Sequence, residues 1–443
     1  MKRKLLLIPM FFVGSLFVSC SSDETEKKPE PPVVVAPLPI SITATTPELI
    51  TAGENLEVTG TNFTNKNYPT KVFVNEIEVT PKEITDTKVI LSSPNIKSGE
   101  NTVRVQIQGV NSTLFGFYAM AKGWNKLTTL GNLDIQSSTV FDNSKTIFSF
   151  ADNDANDNSF WGAPKKLEPK STGYASAYIP QSGSYGDFKM IDEKTGVLTN
   201  TGAGFFTDNG FETKKTIAVT IAFSPAINGL KVGYFDDNIC ILTTLLSGQI
   251  YTKDKGATIV KNDPPAWAAK ITAGGGVSSR LGASAYGKSV SDNKFYQLGI
   301  LYDPKKYGSN NYKNVVLQSE TGYDNWIVKD TISNFDSKNS SYYKFVNINK
   351  IFTMTRTDKT LVASTDMLQT WNVIKTDVTA FFLRSETQWY IQSGDKLYVT
   401  KNSGTSWELE LELPTGSVVN DISFSKSKII VSGNKGLHYL KLE

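Results

Sequence analysis

The side chains that most often carry catalysis are scarce in this chain. Its 443 residues include one histidine, two cysteines and 43 aspartates and glutamates. His438 lies in an alternating, strand-like run with no serine or cysteine nucleophile motif beside it, and one histidine cannot build a histidine-rich metal site. Cys240 lies in an apolar run and is predicted to be a buried small hydrophobe. Because a glycosidase needs only two carboxylates, an enzyme is not excluded, although a protein without catalytic activity is favoured.

One acidic segment, residues 152–157, carries the hard oxygen ligands that calcium prefers. Its possible ligands to a structural calcium ion are Asp152, Asp154, Asn156 and Asp157. The segment lacks the glycine at place six and the glutamate at place twelve of an EF-hand loop. A solvated loop without metal is therefore the favoured alternative, and no other cofactor is expected.

Two tryptophans, Trp161 and Trp267, lie near predicted loops. If exposed, they would stack on sugar rings or grip a peptide, which makes them the candidate ligand-binding residues. Packing in the core is the commoner fate of tryptophan and stays the alternative. Trp389 alternates like a strand residue and is assigned to the core.

The N-terminus predicts an anchor. Three basic residues precede an apolar stretch of about 14 residues, which is too short to span a membrane but fits a secretory signal. Residues 16–20 resemble a bacterial lipobox, with Phe17 in place of the usual leucine. That resemblance implies a signal peptide over residues 1–19 and lipidation of Cys20. An ordinary signal peptide with an incidental cysteine is the alternative.

Residues 20–39 are predicted to form a disordered tether, because they are charged at first and then rich in proline. The acidic residues after Cys20 resemble the surface-export signal of Bacteroidota lipoproteins. That resemblance implies an outer-membrane protein held by its lipid at the cell surface, with a plain linker as the alternative. The net charge of +3 falls to zero without the three leader lysines and arginines, so no nucleic-acid partner is expected.

Residues 40–120 alternate apolar and polar side chains in short runs separated by turn residues, as in a β-sandwich. The positions of Pro47, Gly53, Gly60, Asn62 and Phe63 resemble those of an IPT/TIG domain. The resemblance implies an immunoglobulin-like fold that serves as a spacer, although some such domains bind glycans or partners.

A degenerate motif recurs through the rest of the chain. Residues 400–407 place Thr, Asn, Gly, Ser and Trp at places one, three, five, seven and eight, and so resemble the Asp-box or BNR repeat. Weaker copies occupy residues 207–213, 252–259, 319–326 and 364–371. In such a box the third side chain caps a hairpin turn, glycine supplies a positive φ and tryptophan packs beneath. The resemblance implies a β-propeller in which each box joins the outer two strands of a blade.

The spacing of the boxes predicts the blade number. Successive boxes start 45, 67, 45 and 36 residues apart, and one four-stranded blade needs about 40–50 residues. The longest gap predicts an insertion over residues 264–287. The strand at 124–127 is predicted to complete the last blade and close the ring. We therefore predict an all-β protein in which an immunoglobulin-like sandwich (residues 40–120) is followed by a six- to seven-bladed propeller (residues 121–443), seven being favoured.

The best-known enzymes with this motif are sialidases, which bind a carboxylate through three arginines. The chain offers Arg280, Arg356 and Arg384 in the propeller but lacks the motif that carries the first sialidase arginine. Surface arginines are therefore favoured. We predict an envelope binding protein that recognises a glycan or an envelope protein through the loop face of the propeller. The alternatives are a glycoside hydrolase or sialidase-like enzyme and an assembly factor for an envelope complex.

Overall fold

A computed structural model describes residues 38–443 of the chain. The description leaves out residue 93 and the following segments: 153–161, 171, 179–186, 200–202, 218–230, 244–248, 263–285, 303–311, 333–339, 348 and 356–357. The leader, Cys20 and nearly all of the tether therefore lie outside the described residues. In the part that is described, every regular element is a strand, and no helix is long and apolar enough to cross a membrane.

The first ten strands form a sandwich of two sheets. They are β1 (Ser41–Thr46), β2 (Leu49–Thr51), β3 (Leu56–Thr61), β4 (Thr70–Val74), β5 (Ile77–Val79), β6 (Glu83–Ile84), β7 (Lys88–Leu91), β8 (Gly99–Ile107), β9 (Val110–Asn111) and β10 (Phe115–Met120). One sheet has the order β1-β3-β7-β6 and the other β2-β10-β8-β4-β5, with β9 paired to β8. The alternation predicted from the sequence is present, since Val103, Val105 and Ile107 of β8 are buried in the core between the sheets.

The remaining 28 described strands form seven four-stranded sheets, which we call blades 1 to 7. Blade 1 contains β12 (Ile135–Val140), β13 (Ile147–Asp152), β14 (Gly162–Lys170) and β15 (Gly173–Tyr178); blade 2 contains β16 (Asp187–Met190), β17 (Gly196–Thr199), β18 (Gly204–Thr207) and β19 (Lys215–Ile217); blade 3 contains β20 (Lys231–Phe235), β21 (Cys240–Thr243), β22 (Gln249–Thr252) and β23 (Val260–Asn262). Blade 4 contains β24 (Tyr286–Lys288), β25 (Phe295–Tyr302), β26 (Tyr312–Ser319) and β27 (Ile327–Ile332); blade 5 contains β28 (Ser340–Asn347), β29 (Lys350–Thr355), β30 (Leu361–Ser364) and β31 (Asn372–Lys375); blade 6 contains β32 (Ala380–Leu383), β33 (Trp389–Ser393), β34 (Lys396–Thr400) and β35 (Glu408–Glu412).

Blade 7 is built from both ends of this region. It contains β36 (Val419–Phe424), β37 (Lys428–Gly433) and β38 (His438–Leu442) from the C-terminus and β11 (Gly123–Lys126) from the N-terminal side. Strand β11 pairs antiparallel with β38, with Trp124 opposite Lys441. This pairing confirms the predicted closing strand, and it covers a sheet edge that would otherwise be exposed.

Seven apolar clusters show that the blades form a closed ring. Each cluster joins two consecutive blades: phenylalanines join blades 1 and 2, and the cluster around Trp389 joins blades 5 and 6. The others join blades 2 and 3, 3 and 4, 4 and 5, and 6 and 7, and the last joins blade 7 back to blade 1. A ring of radiating sheets in which each face packs on the next sheet is a β-propeller, so the favoured blade number of seven is present in the described residues.

Central strands of the blades are apolar on both faces because each face meets a different neighbour. In β33, Trp389 and Ile391 join the cluster with blade 5, whereas Tyr390 joins the cluster with blade 7. The prediction that Trp389 belongs to the core is confirmed, since it is 1% exposed. Most of the predicted insertion at 264–287 lies outside the described residues. Its last two residues, Tyr286 and Gly287, belong to β24, so the predicted end of the insertion was wrong. The sequence did not reveal this strand because three residues are too few to show an alternating pattern.

The sandwich packs directly on blade 1. Leu49 and Met120 lie in the same apolar cluster as Leu130, Ile135 and residues of blade 7. The Lys145 ammonium, in the turn between β12 and β13, donates to the backbone oxygen of Leu49 and to Glu54. The sandwich therefore contacts the end of blade 1 at which its first and second strands are joined.

Candidate functional site

The predicted boxes form turns that we call the box turns, and each one joins the third and fourth strands of its blade. In the turn at 400–407, the Thr400 hydroxyl donates to Asn402 Oδ1 at 2.9 Å and accepts the Gly404 N–H at 2.9 Å. Asn402 Oδ1 also accepts the Ser406 N–H at 2.9 Å. The turns that begin at residues 207, 252 and 364 repeat these bonds at the same places. The polar side chains at places one and three of these boxes therefore stabilise the turns.

Place five of each of these four turns has a positive φ, whichever residue occupies it. Gly256 and Gly404 have φ values of 83° and 87°, whereas Leu368 and Phe211 have 70° and 67°. Both larger side chains are fully buried at 0% exposure, and their apolar contacts offset the strain of the left-handed backbone. The turn at 319–326 differs: Gly322, at place four, has a positive φ, and its N–H donates to the Ser319 hydroxyl at 2.9 Å.

The sequence candidates for catalysis that are described have structural roles. Arg384 forms two bonds to the Glu443 carboxylate, at 2.8 and 2.6 Å, and Glu443 raises the pKa of the guanidinium. Arg280 and Arg356 lie outside the described residues. His438 is fully buried beside Ser138, and burial lowers its pKa to about 3. Cys240 is buried as predicted, and burial raises the pKa of its thiol to about 12, so it is held in the unreactive thiol form.

Nearly all of the predicted ligand-binding and metal-binding residues lie outside the described part of the chain. Trp161, Trp267, Asp154, Asn156 and Asp157 lie outside the described residues, as does Cys20. Asp152 ends β13, and only its backbone pairing with Gly162 is described. Among the described residues, no group of three or more His, Cys, Asp or Glu side chains could hold a metal ion. The tryptophan and calcium assignments therefore stay predictions.

A cleft of about 670 Å³ opens on the face of the ring that carries the box turns. In a four-stranded antiparallel blade, the turns between strands one and two and between strands three and four lie at the same end. The cleft is lined by first turns from three blades and by residues of two box turns: residues 140–144, 191–195, Asp208, Lys255 and Ser425. It therefore spans parts of blades 7, 1, 2 and 3.

Two carboxylates of the cleft stabilise its walls. Asp142 accepts hydrogen bonds from the Ser425 hydroxyl and from the hydroxyl and N–H of Ser427, each at 2.8 Å, and so joins blade 1 to blade 7. Burial raises the pKa of Asp142, but these hydrogen bonds outweigh burial and hold the pKa well below its usual range. Asp192 is held similarly by the N–H groups of Lys194 and Thr195, which lower its pKa against the effect of burial.

Several other polar side chains of the cleft are exposed to solvent. In the described part of the chain, no side-chain hydrogen bond or ion pair is made by Asn143, Glu193, Lys194, Asp208 or Lys255. Val140, Phe141 and Ile191 supply apolar surface beside them. The cleft thus combines a partly buried aromatic ring with two carboxylates, an amide and two ammonium groups that make no hydrogen bond or ion pair with other described residues. That arrangement is suited to binding a polar ligand.

Sequence reasoning did not find this cleft. Glu193 and Asp208 lie in short polar segments that resemble any surface turn, and the residues around them come from four blades. One available signal was the recurrence of a polar segment after the first strand of several blades, as at 141–145, 191–195 and 425–428. That signal becomes informative only once the ring closes and brings the turns of blades 7, 1 and 2 together.

The comparisons with known proteins concern the sandwich and the fold. Residues 39–118 match the family model of the IPT/TIG domain. No curated protein matches the chain. A structure of YCF48 from Cyanidioschyzon merolae is similar over 72% of this chain and 98% of its own, with 11% identity and a TM-score of 0.48.

Two further solved structures are similar over most of their length. YCF48 bound to D1 peptide has 11% identity and a TM-score of 0.49, covering 72% of this chain and 97% of its own. An auxiliary nutrient binding protein from Bacteroides ovatus has 9% identity and a TM-score of 0.35, covering 92% of this chain and 98% of its own. Over residues 39–118, the chain carries an IPT/TIG domain.

Proposed function

We propose that this protein is a lipid-anchored binding protein of the outer membrane, displayed at the cell surface, that holds a glycan in the cleft on its box-turn face. The signal peptide at 1–19, lipidation at Cys20, the tether at 20–39 and the division at residue 120 are parts of this proposal. So is the assignment of the box turns to the Asp-box (BNR) repeat. The anchor rests on the sequence, and the binding role rests on the cleft.

The observation that carries the binding role is the set of unengaged polar groups in a 670 Å³ cleft. Sugar hydroxyls both donate and accept hydrogen bonds, so they match a surface that mixes carboxylates, an amide and ammonium groups. Phe141 provides an apolar ring surface in the same cleft as Glu193 and Asp208. Because Asp142 and Asp192 are fixed by their own hydrogen bonds, the walls of the cleft are pre-organised, which lowers the entropy lost on binding.

The test is a glycan-array screen of the protein and of the double variant Glu193→Gln/Asp208→Asn. We expect a glycan hit that the double variant loses, because neutral amides replace two ionised carboxylates, which accept stronger hydrogen bonds from sugar hydroxyls. Glu412→Gln, an exposed carboxylate on β35 outside the cleft, is the matched control and should keep the hit. Trp161→Ala and Trp267→Ala on the same array test the tryptophans that the sequence singles out.

The other outcomes separate the alternatives. A hit that survives the double variant but is lost in a tryptophan variant would place the glycan site elsewhere. A blank array would contradict glycan binding and favour a protein partner, to be sought by affinity capture from intact envelopes. Cleavage of an arrayed glycan, seen as loss of the intact sugar, would instead identify a hydrolase.

A further inference from the structure

Two carboxylates of the cleft lie on turns that touch each other. Glu193 is in the turn between β16 and β17, and Asp208 is in the box turn between β18 and β19 of the same blade. The Gly210 N–H of the box turn donates to the backbone oxygen of Lys194 at 2.8 Å, and a Cβ on Gly210 would lie 2.9 Å from the backbone oxygen of Glu193. The two turns are therefore in direct backbone contact, and both carboxylates belong to the part of the cleft that blade 2 forms.

Neither of these two carboxylates is paired with another group of the described chain. Both side chains are exposed, and within the described residues Glu193 and Asp208 form no hydrogen bond or ion pair. Two like charges on adjoining turns repel each other. A cation bound between Glu193 and Asp208 would relieve that repulsion, which a neutral ligand cannot do.

The charges of the whole cleft are also unbalanced. It is lined by four carboxylates and two ammonium groups, which are those of Asp142, Asp192, Glu193, Asp208, Lys194 and Lys255. A third ammonium, that of Lys428, lies behind the turn at 141–144, because it donates to the backbone oxygens of Phe141, Asp142 and Ser144. Negative charge therefore exceeds positive charge on the surface that a ligand would touch, and such a concave surface attracts cations.

The chemistry of these groups favours an ammonium over a metal ion. A hard metal ion needs several ligating oxygens, and the described residues contain no group of three or more His, Cys, Asp or Glu side chains that could hold one. An ammonium needs only hydrogen-bond acceptors, and its charge-assisted bonds to carboxylates are stronger than those of a sugar hydroxyl. Phe141, in the same cleft, offers a partly buried ring to the apolar face of a sugar.

We propose that the glycan held in this cleft is one with free amino groups, of the glucosamine class. Its ammonium groups bind Glu193 and Asp208, and its sugar rings pack on Phe141. This inference rests on the proposed glycan-binding function, and it names the class of glycan that the cleft selects.

The test compares two oligosaccharides of equal length that differ at one substituent. A chitosan oligosaccharide carries an amine on every ring, and the corresponding chitin oligosaccharide carries an N-acetyl group there. Isothermal calorimetry of the full chain is done at mildly acidic pH, where the amines and both carboxylates are ionised. We expect the chitosan form to bind at least about tenfold more tightly, because only its ammonium groups form charge-assisted bonds. The preference should shrink at high salt, which screens exposed charges.

Three variants of the cleft test the residues that carry the preference. Glu193→Gln and Asp208→Asn should each weaken binding of the chitosan form and leave binding of the chitin form unchanged. Lys194→Met should strengthen binding of the chitosan form, because it removes a positive charge that repels the ligand. Glu412→Gln, an exposed carboxylate on β35 outside the cleft, is the matched control and should change neither affinity.

The remaining outcomes separate this inference from the proposed function. Equal affinity for the two oligosaccharides would overturn the inference, and if Glu193→Gln and Asp208→Asn weakened both equally, glycan binding in the cleft would stand without it. Binding of neither oligosaccharide would overturn the inference, and a blank glycan array would then overturn glycan binding as well. A preference for the chitosan form that Glu412→Gln reduces as much as Glu193→Gln would be attraction to the whole surface and would also overturn it.

Discussion

The Lys145 ammonium lies 2.6 Å from the Glu54 carboxylate, and this ion pair joins the first blade of the propeller to the sandwich. Glu54 also accepts the Thr51 N–H at 2.7 Å, so its position is fixed from its own side. Lys145 reaches the backbone oxygen of Leu49 in addition. The pair therefore fixes the orientation of the sandwich at the end of blade 1, next to the residues that line the cleft.

Replacing Glu54 with Gln should remove a pH-dependent part of the stability. Burial raises the pKa of Glu54, but the bonds from Lys145 and Thr51 outweigh burial and lower the pKa below 4.5. A lowered carboxyl pKa stabilises the fold above the unfolded pKa, and that contribution is lost as pH falls through the folded pKa. Because both side chains are partly exposed, we expect less than about 1 kcal/mol.

The measurement is the free energy of unfolding from pH 6 to pH 3 for the native protein and for Glu54→Gln. The difference between them should be largest at pH 6 and should shrink below pH 4.5. Glu57→Gln is the control, since its side chain is about as exposed as that of Glu54 but its carboxylate lies 3.9 Å from Lys88, beyond hydrogen-bond distance. A difference that stays constant over the whole range would show that the charge of Glu54 has no part in the stability.

The buried His438 should make the protein acid-sensitive below its ordinary pKa of 6.5. Its Nε2 lies 3.1 Å from the Ser138 hydroxyl, and among the described residues its Nδ1 has no partner. Since burial lowers the pKa to about 3, the unfolded chain binds a proton between pH 6.5 and 3 that the folded chain does not. The free energy of unfolding should therefore decrease as the pH is lowered through this window, by about 1.4 kcal/mol per pH unit.

Chemical denaturation at several pH values, for the native protein and His438→Gln, measures this slope. Between pH 6.5 and 6, the free energy of unfolding should depend less steeply on pH in the variant than in the native protein. Below pH 6, Asp421 acts in the opposite direction, because its raised pKa makes the folded chain bind a proton that the unfolded chain releases above 3.8. Its charged neighbours Lys344, Lys189 and Asp187 should modulate that effect. An unchanged slope in His438→Gln would mean that His438 is protonated in the folded state.

The Gly404→Ala substitution should destabilise blade 6 more than its backbone angle alone requires. Gly404 has a φ of 87°, and a Cβ there would lie 2.9 Å from the Trp389 ring. Gly53, with a φ of 92°, has open space around the same position and is the matched control. Both variants should lose about 1 kcal/mol to the left-handed backbone. Gly404→Ala should lose about 1 kcal/mol more, because Trp389 is buried and cannot move freely. Equal unfolding free energies for the two variants would show that the turn shifts away from Trp389.

Local patterns made much of the fold predictable. The box turns depend on residues within eight positions of one another, and β11 could be assigned to blade 7 because Val419 to Leu442 supplied only three strands. The cleft could not be predicted in this way, because the turns that line it come from four blades and are far apart in the sequence.

Glu410 joins the outer strands of blades 6 and 7 and should control opening of the ring. It accepts the Trp124 indole N–H at 3.1 Å and bonds the Lys441 ammonium, and its side chain is only 12% exposed. Glu410→Ala would leave both donors unpaired near the surface of the closing strand, which we expect to lower stability by about 1–3 kcal/mol. Because β11 is held only by β38 within its sheet, the loss should appear as faster amide exchange in β11 and β38.

Glu408→Ala, whose pair with Lys401 is largely exposed, should leave both exchange and stability nearly unchanged. Exchange that quickens equally in all blades would mean that the ring unfolds as one unit and that Glu410 has no special role in its closure.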